Sequence, residues 1–218
     1  SMFDWSTDSL HTIHSDEGND MDGFAKSLCL GTNGNLWVGT EGSGLYEIDL
    51  QQLKVIDRFL PNPQTGKGLS NRRITDLVPD AYGKLWIATD GGGLNYFDPS
   101  TDEWKHYGYQ PEFLNSLNSD ALYDLMFDSS NNLWIGTFNG GINLHKTVFP
   151  PFVMDRQYAL ERLEGLRSVL CLDQDKDGNV WLGTDGGGLF QLDVRKNPVQ
   201  LVSIEKSANH PPGLDVIT

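Results

Sequence analysis

The chain has 218 residues, of which 38% are hydrophobic and 11% aromatic, a composition typical of soluble globular proteins. Its 30 acidic and 16 basic residues give a net charge of −14, which repels phosphate backbones and excludes a nucleic-acid partner. No apolar run approaches the roughly 18–20 residues needed to cross a bilayer, so we do not expect this segment to insert into a membrane.

One phrase of eleven residues occurs four times, as NLWVGTEGSGL, KLWIATDGGGL, NLWIGTFNGGI and NVWLGTDGGGL. Its tryptophans, Trp37, Trp86, Trp134 and Trp181, are spaced at 49, 48 and 47 residues. Self-similarity with a period of roughly 20–50 residues indicates a solenoid, a propeller or another array of small units. Each repeat is too short to form a core alone, so the repeats must pack against one another.

Each repeat contains four short runs with strand character, separated by turns rich in Gly, Asp, Asn, Ser and Pro. In chain order, the predicted strands are 25–30, 36–40, 45–49 and 54–60; then 74–78, 85–89, 94–98 and 104–109; then 122–127, 133–137, 142–146 and 151–157; and finally 167–172, 180–184, 189–193 and 199–205. The second strand of each repeat is apolar on both faces, so it must be covered on both sides. Radially stacked blades provide such cover.

The predicted fold is therefore all-β, a β-propeller segment with four complete four-stranded antiparallel blades. We predict a single segment over residues 1–218, with blades at approximately 23–60, 72–109, 120–157 and 167–205. A loose strand is expected at each end, at 10–14 and 214–218. The segment is either a small ring sealed by these end strands or part of a larger ring. The opening Ser-Met resembles an expression tag, so we expect the natural protein to be longer at both ends.

The repeated pattern D-x-x-G-x-L-W-[IV]-G-T-x-G-G-G-L-x-x-x-D resembles the two-component regulator propeller repeat. Such repeats form the sensor region of bacterial hybrid two-component histidine kinases, and the resemblance covers about residues 23–205. It implies a periplasmic, non-catalytic sensor module attached to membrane and signalling domains, and an oligosaccharide ligand. Ala88 departs from the pattern, as does the third repeat, which lacks the Asp and has a Pro pair in its outer connection.

The repeated residues themselves are interpreted as structural. Each Trp and its aliphatic neighbours should fill the space between blades, while Gly and Thr let the second strand run close to its neighbours. The glycine triplet should form a sharp hairpin turn, because glycine accepts positive φ without steric cost. Cys29 and Cys171 occupy different repeat positions in apolar stretches, so we expect small buried side chains rather than a disulfide.

No cofactor and no metal are expected. The stretch DQDKDG at 173–178 resembles the start of a calcium-binding loop, but Thr184 stands where that loop needs a bidentate Glu. It also aligns with hairpin turns in the other repeats. The acidic stretch at 14–22 could bind a cation, although a solvated loop is the favoured interpretation.

The main enzymatic alternative is a propeller of the streptogramin lyase type, which uses His and Glu near the axis. The five histidines form no local catalytic arrangement with Ser, Cys or Asp, and none lies on a strand inferred to be innermost. A second alternative is a pure protein-interaction or dimerisation scaffold. An open stack of blades exposes apolar faces at both ends, so we expect self-association through these faces or closure by the end strands.

If the first strand of each blade is innermost, the second-to-third turns and the fourth-to-first loops share one face. Propellers usually bind ligands at such a face, because loops vary on a rigid scaffold. The candidate ligand-binding residues on this face are Arg72, Arg73, Asp90, Asp120, Tyr123, Phe138, Arg167 and Asp185. Carboxylates, guanidinium groups and aromatic rings suit a polyhydroxylated or charged ligand.

Overall fold

The computed structural model describes residues 2–4, 8–11, 13, 23–62, 64–113, 115–146, 168–194, 196 and 200–204. The chain divides into two compact units, residues 1–87 with 95–105 and residues 88–94 with 106–218. Every regular element within the described ranges is a β-strand, which confirms the all-β prediction.

Seventeen strands are described, and successive strands pair in antiparallel sheets. An N-terminal hairpin contains β1 (Met2–Asp4) and β2 (Ser9–His11). The first sheet contains β3 (Ala25–Leu30), β4 (Leu36–Thr40), β5 (Leu45–Asp49) and β6 (Lys54–Phe59), and the second β7 (Ile74–Pro79), β8 (Leu85–Thr89), β9 (Gly93–Asp98) and β10 (Glu103–Tyr107). The third contains β11 (Leu122–Phe127), β12 (Leu133–Thr137) and β13 (Gly141–His145), and the fourth β14 (Val169–Gln174), β15 (Val180–Thr184), β16 (Gly188–Asp193) and β17 (Gln200–Ser203).

Three of these sheets have four strands in sequence order, as predicted for propeller blades. The predicted fourth strand of the third blade, 151–157, lies outside the described residues, as does the predicted end strand at 214–218. The strand expected at 10–14 is only partly found: β2 begins one residue earlier, at Ser9, but ends at His11, and Ile13 is not in a strand. β2 pairs with β1, with Phe3 opposite Leu10, a partner that the sequence did not reveal.

The first strands of successive sheets are neighbours within each unit. In the first unit, Ser27 Oγ donates a 2.6 Å hydrogen bond to Asp76 Oδ1 and accepts a 3.2 Å bond from the backbone N–H of Leu77. In the second unit, Asp124 accepts a hydrogen bond from the backbone N–H of Leu172. Ser27 and Asp124 each follow a register shift in their own sheet, which is typical of a β-bulge. These links make the first strand the innermost strand of a blade.

The core of the first unit forms where the first sheet packs against residues of β7, β8 and β9. Trp37 is 1% exposed and meets the Phe97 ring edge-on, with ring centroids 5.8 Å apart. Phe97 in turn stacks on Trp104 at 4.0 Å. Ile74 and Leu77 of β7 belong to the same buried cluster. This is the inter-blade role that the sequence predicts for the repeated Trp.

The core of the second unit repeats the arrangement between the third and fourth sheets. Trp134 is 1% exposed and packs in a cluster with Val169, Val180 and Leu182 of the fourth sheet. Fully burying one such apolar side chain contributes about 1.5–3 kcal/mol. Both clusters therefore join a Trp of one sheet to aliphatic residues of the next sheet, and this packing holds neighbouring blades together.

The glycine after the aliphatic residue permits the close approach expected from the sequence. A Cβ atom on Gly39 would lie 2.5 Å from Ile74 Cγ2, and one on Gly136 would lie 2.8 Å from the carbonyl oxygen of Val169. Both distances are shorter than any stable carbon contact. The second strand can therefore lie this close to the next sheet only because it lacks a side chain there.

The repeated Thr has a more specific role than the sequence suggested, because its hydroxyl closes the second-to-third turn. The hydroxyl donates to the carbonyl oxygen four residues later in all four repeats, at 2.8–2.9 Å. The acceptor is always a glycine with positive φ, such as Gly93 at 72°. A Thr-x-x-x-Gly unit therefore defines this turn, and the prediction that glycine permits it is confirmed.

The first-to-second turn is held by an aspartate that also binds the repeated Trp. Asp175 Oδ2 accepts a 2.9 Å bond from the indole of Trp181, while Oδ1 accepts bonds from the backbone N–H groups of Asp177 and Asn179. The Asn179 side-chain amide also donates a 2.9 Å bond to Oδ2, and this bond, followed by the Trp181 indole bond, is the main cause that holds the pKa of Asp175 well below its usual range. Asp175 follows directly after β14, so the stretch 173–178 contains the end of that strand and the hairpin turn that leads to β15, in agreement with the turn predicted there.

Both cysteines are free and partly buried. Cys29 packs against the core of the first unit, and burial, with a smaller contribution from the Asp76 charge, raises the pKa of its thiol to about 12. Burial also raises the pKa of Cys171. Raised thiol pKa values disfavour the reactive thiolate, which agrees with the structural role expected for both residues.

Candidate functional site

The second-to-third turns lie against the segments that lead into first strands, as the candidate site requires. In the first unit, the backbone N–H of Gly44 donates to the carbonyl oxygen of Arg72 at 3.0 Å. In the second unit, the N–H of Phe138 donates to the carbonyl oxygen of Ala121 at 2.9 Å. Each unit therefore has a face formed by these turns and segments, which we call its turn face.

The turn face of the first unit carries Arg72 and Arg73, whose side chains are both exposed. The Arg73 guanidinium lies 3.8 Å from one carboxylate oxygen of Glu41, and Lys26 Nζ lies 3.7 Å from the other. Exposed ion pairs of this kind contribute little to stability, about 0–1 kcal/mol. Two cations, Lys26 and Arg73, therefore flank one carboxylate on this surface.

The turn face of the second unit brings Asp90 and Asp120 to the same segment. Asp90 forms an isolated antiparallel bridge with Ala121, and the carbonyl oxygen of Asp120 accepts bonds from two backbone N–H groups of the turn that follows Asp90. Asp120 Oδ1 also accepts a 2.6 Å bond from the backbone N–H of Tyr109. The Asp120 carboxylate therefore holds a loop in place, a structural role that the sequence did not predict.

Two aromatic residues of the candidate set are in contact in the second unit. The rings of Tyr123 and Phe138 meet edge to face, with centroids 6.0 Å apart and an interplanar angle of 76°. Phe138 is 43% exposed, while Tyr123 is half-buried beneath it on β11. This pair offers an exposed apolar surface whose orientation is fixed by the ring contact.

Asp185 and Arg167 complete the candidate set. Asp185 is exposed, and its backbone N–H donates to the carbonyl oxygen of Ser168 at 3.0 Å. Ser168 also accepts a 3.3 Å bond at its hydroxyl from the N–H of Asn139, which joins the third and fourth sheets at this face. Arg167 lies outside the described residues.

Sequence reasoning missed the buried amides beneath the turn faces. Asn95 Oδ1 accepts a 2.7 Å bond from the N–H of Ser70 in the first unit. In the second unit, Asn143 Oδ1 accepts a 3.3 Å bond from the backbone N–H of Asn118 in the same way. The available signal was an Asn in the middle of an otherwise apolar third strand, LNY at 94–96 and INL at 142–144, where Tyr46 stands in the first repeat.

The most perturbed ion pair lies away from the turn faces. Lys84 and Asp98 are joined by a short ion pair at the end of the second sheet that carries the first-to-second turn. This bond and those from Ser100 lower the pKa of Asp98 to about 2, and the bond to Asp98 raises the pKa of Lys84. Paired charges with shifts in these directions stabilise the ionised forms, so the arrangement holds strands together and offers no proton for catalysis.

One further surface stands out on the fourth sheet, on the face that bears Trp181. A groove of about 510 Å³ is lined by Cys171, Trp181, Gly183 and Leu189, among others. Trp181 is partly exposed, whereas Trp134, which occupies the same repeat position, is 1% exposed. This face therefore carries the residues of an inter-blade contact, and within the described residues nothing fills the groove.

No group of three or more His, Cys, Asp or Glu side chains in the described ranges is arranged to hold a metal ion. A membrane-spanning helix is likewise not found in the part of the chain that the structure covers.

The antiparallel sheets with neighbouring first strands are β-propeller blades. Residues 68–91, 116–139 and 164–186 match the family model described as the two component regulator propeller. These three ranges therefore match the repeat family that the resemblance indicated. No curated protein matches the chain.

Solved structures with the same fold include two described as extracellular domains of hybrid two-component systems from B. thetaiotaomicron. For BT3049 the TM-score is 0.73 at 21% identity, and for BT4673 it is 0.68 at 24% identity. Each alignment covers 84% of this chain and 25% of the other, so the chain spans about a quarter of their length. The computationally designed Ika4 protein matches with a TM-score of 0.56 at 16% identity, over 84% of this chain and 98% of the other. At these identities, the similarity shows the fold.

Proposed function

We propose that the chain is the non-catalytic sensor part of a bacterial two-component system, located in the periplasm, and that it binds an oligosaccharide without a cofactor. The repeat family and the extracellular domains that share the fold support the sensor role. The observation that carries the ligand class is the exposed Phe138 ring, which is held by Tyr123. Asp90 lies nearby, because Phe138 and Asp90 are both joined to Ala121. Aromatic rings pack against apolar sugar faces, and carboxylates accept hydrogen bonds from hydroxyl groups.

A non-catalytic role is supported by the innermost strands. A lyase-type propeller would place His and Glu near the axis, but the described first strands β3, β7, β11 and β14 contain neither residue. The acidic residues there are Asp76, Asp124 and Asp173. They accept hydrogen bonds from the Ser27 hydroxyl, from the backbone N–H of Leu172 and from the backbone N–H of Gln174, respectively. These carboxylates support the scaffold and do not form an acid–base pair.

The ligand proposal is tested by calorimetry on the folded chain with cellohexaose, maltohexaose, xylohexaose and a sulfated chondroitin hexasaccharide. We expect one of these probes to bind, and Phe138→Ala to weaken that binding by about tenfold or more, equal to about 1.4 kcal/mol. The matched control is Tyr82→Ala, which removes an 80% exposed aromatic ring from a first-to-second turn. It should bind as the wild type does.

Three outcomes would count against this proposal. If none of the probes bound to the folded chain, the ligand class would be wrong. If the Phe138 and Tyr82 variants bound equally well, the site would lie elsewhere, and Arg72→Ala would then test the first unit's turn face. Measurable turnover of any probe would overturn the non-catalytic role.

A second candidate role, self-association through a blade face, is favoured by the groove beside Trp181. We propose that this face of the fourth sheet packs against a second copy of the chain, because the same repeat position is fully covered at Trp134. Light scattering should then show a mass that rises with concentration, and Gly183→Arg, which places a charge in the groove, should reduce the mass to that of a monomer. A wild type that is monomeric at all concentrations would contradict this role.

A further inference from the structure

The second unit contains a pair of amides directly beneath its turn face. Asn143 Nδ2 donates a 2.7 Å bond to Asn118 Oδ1, and the backbone N–H of Asn118 donates to Asn143 Oδ1 at 3.3 Å. Asn118 Nδ2 donates a further, short bond to the carbonyl oxygen of Gly140. One side chain therefore links the segment before β11 to the second-to-third turn of the same sheet.

Burial makes this link strong. Asn143 is 3% exposed on β13, so a partner lost from its amide would leave a buried polar group unpaired. Such a group costs about 1–3 kcal/mol, whereas a bond exchanged with water is worth much less. The pair therefore resists separation of the 118–121 segment from the 138–140 turn.

The turn is shaped to fit Asn118. A Cβ atom on Gly140 would lie 2.5 Å from Asn118 Oδ1 and 2.7 Å from Thr137 Oγ1, so a side chain at this position would have to displace the Asn118 amide. The φ of Gly140 is not positive, so steric space rather than backbone conformation requires the glycine. The first sheet has Ser43 at this turn position, so the turn itself accepts a side chain.

We propose that Asn118 and Asn143 are positioning residues for ligand binding on the turn face of the second unit. Asn118 joins the turn that carries Phe138 to the segment that carries Asp120, and Asn143 fixes Asn118 from below. Asp90 is bridged to Ala121 of the same segment, so the Phe138 ring and the Asp90 carboxylate are held at a set separation before a ligand arrives. This lowers the ordering cost of binding. This inference rests on the proposed function.

The amide N–H groups of Phe138 and Asn139 provide a readout that needs no ligand. Both are hydrogen-bonded within the turn face, to Ala121 and Ser168. We expect Asn118→Ala to raise their hydrogen-exchange rates by about tenfold, since about 1.4 kcal/mol of local stability corresponds to that factor. Gly140→Ala should disturb the contact between Asn118 and the turn without removing a buried side chain. We therefore expect it to raise the same exchange rates by a similar factor.

Asn95→Ala is the matched control. It removes the corresponding buried amide of the second sheet, where Asn95 holds Ser70, and so produces a similar general loss of stability in the other unit. It should leave exchange at Phe138 and Asn139 unchanged. The combination of Asn118→Ala with Gly140→Ala should be less damaging than the sum of the two, because removal of the amide relieves the steric clash.

Binding of the hexasaccharide probes is then measured on the same variants. Weaker binding by Asn118→Ala and by Gly140→Ala, with unchanged binding by Asn95→Ala, supports the inference. A folded Asn118 variant with normal exchange would overturn it, and so would normal affinity despite raised exchange. A wild type that binds no probe overturns the proposed function and with it the ligand role, while the exchange data still decide whether the two segments are coupled.

Discussion

Replacement of Trp134 by Ala should reduce the free energy of unfolding by about 3–5 kcal/mol, the usual cost of deleting a buried large aromatic side chain. Trp134 is 1% exposed, packs against Val169, Val180 and Leu182, and donates its indole N–H to Asp128 Oδ2 at 2.9 Å. The variant loses this packing and leaves a cavity between the third and fourth sheets. Urea denaturation followed by circular dichroism measures the loss.

Trp181→Ala is the internal control for this prediction. Trp181 makes the same 2.9 Å bond, to Asp175, but its ring is partly exposed beside the groove of the fourth sheet. We therefore expect a loss of about half that of Trp134→Ala, because less apolar area leaves water on folding. Equal losses would show that burial against the next sheet is not the main contribution of the repeated Trp to the free energy of unfolding. A Trp134 variant that stayed fully stable but lost ligand binding would instead make this residue part of a site.

Replacement of Gly39 by Ala should destabilise the first unit by about 1–3 kcal/mol through overpacking. The added methyl group would lie 2.5 Å from Ile74 Cγ2 and 2.7 Å from Leu77 Cδ2, and both side chains are at most 2% exposed. Neither can move without disturbing the buried cluster around Trp37. Thermal denaturation provides the measurement.

The second repeat supplies the reverse test, because Ala88 occupies this position there and is fully buried. Ala88→Gly should also destabilise, by about 1–2 kcal/mol, through the loss of a buried methyl group and the greater freedom of glycine in the unfolded chain. Stabilisation by Gly39→Ala would refute the close approach, since a glycine with room for a methyl group normally gains stability as alanine.

Much of the fold could be predicted because turn chemistry repeats with the strands. The second strands β4, β8, β12 and β15 have the predicted bounds, since each lies between a turn ending in Lys or Asn and a glycine-rich turn. The prediction was less accurate at β10, which was expected to reach Tyr109 but ends at Tyr107. The N–H of Tyr109 is bonded instead to the Asp120 carboxylate, a contact between residues eleven apart that local patterning cannot show.

The candidate site was harder to predict for the same reason. The sequence places Asp120 and Phe138 on loops, and their shared face follows from strand order alone. Which side chains remain available depends on tertiary contacts: Asp120 holds a loop, whereas Phe138 rests on Tyr123 and stays exposed. The roles of Asn118 and Asn143 were missed because they depend on the hydrogen bond between the two side chains. The two residues are far apart in the sequence, and no local pattern predicts that they meet.

Each second-to-third turn is closed by a bond from a Thr hydroxyl to a glycine four residues later. The stability of the turn therefore does not depend on which residues stand at its tip. The three residues between this Thr and this glycine are EGS, DGG, FNG and DGG in the four repeats, yet the closing bond is the same in each. The tip residues can therefore be substituted during evolution without loss of the turn, with an acid in one blade and an aromatic ring in another. A family built in this way can acquire new ligand preferences while its blades remain unchanged.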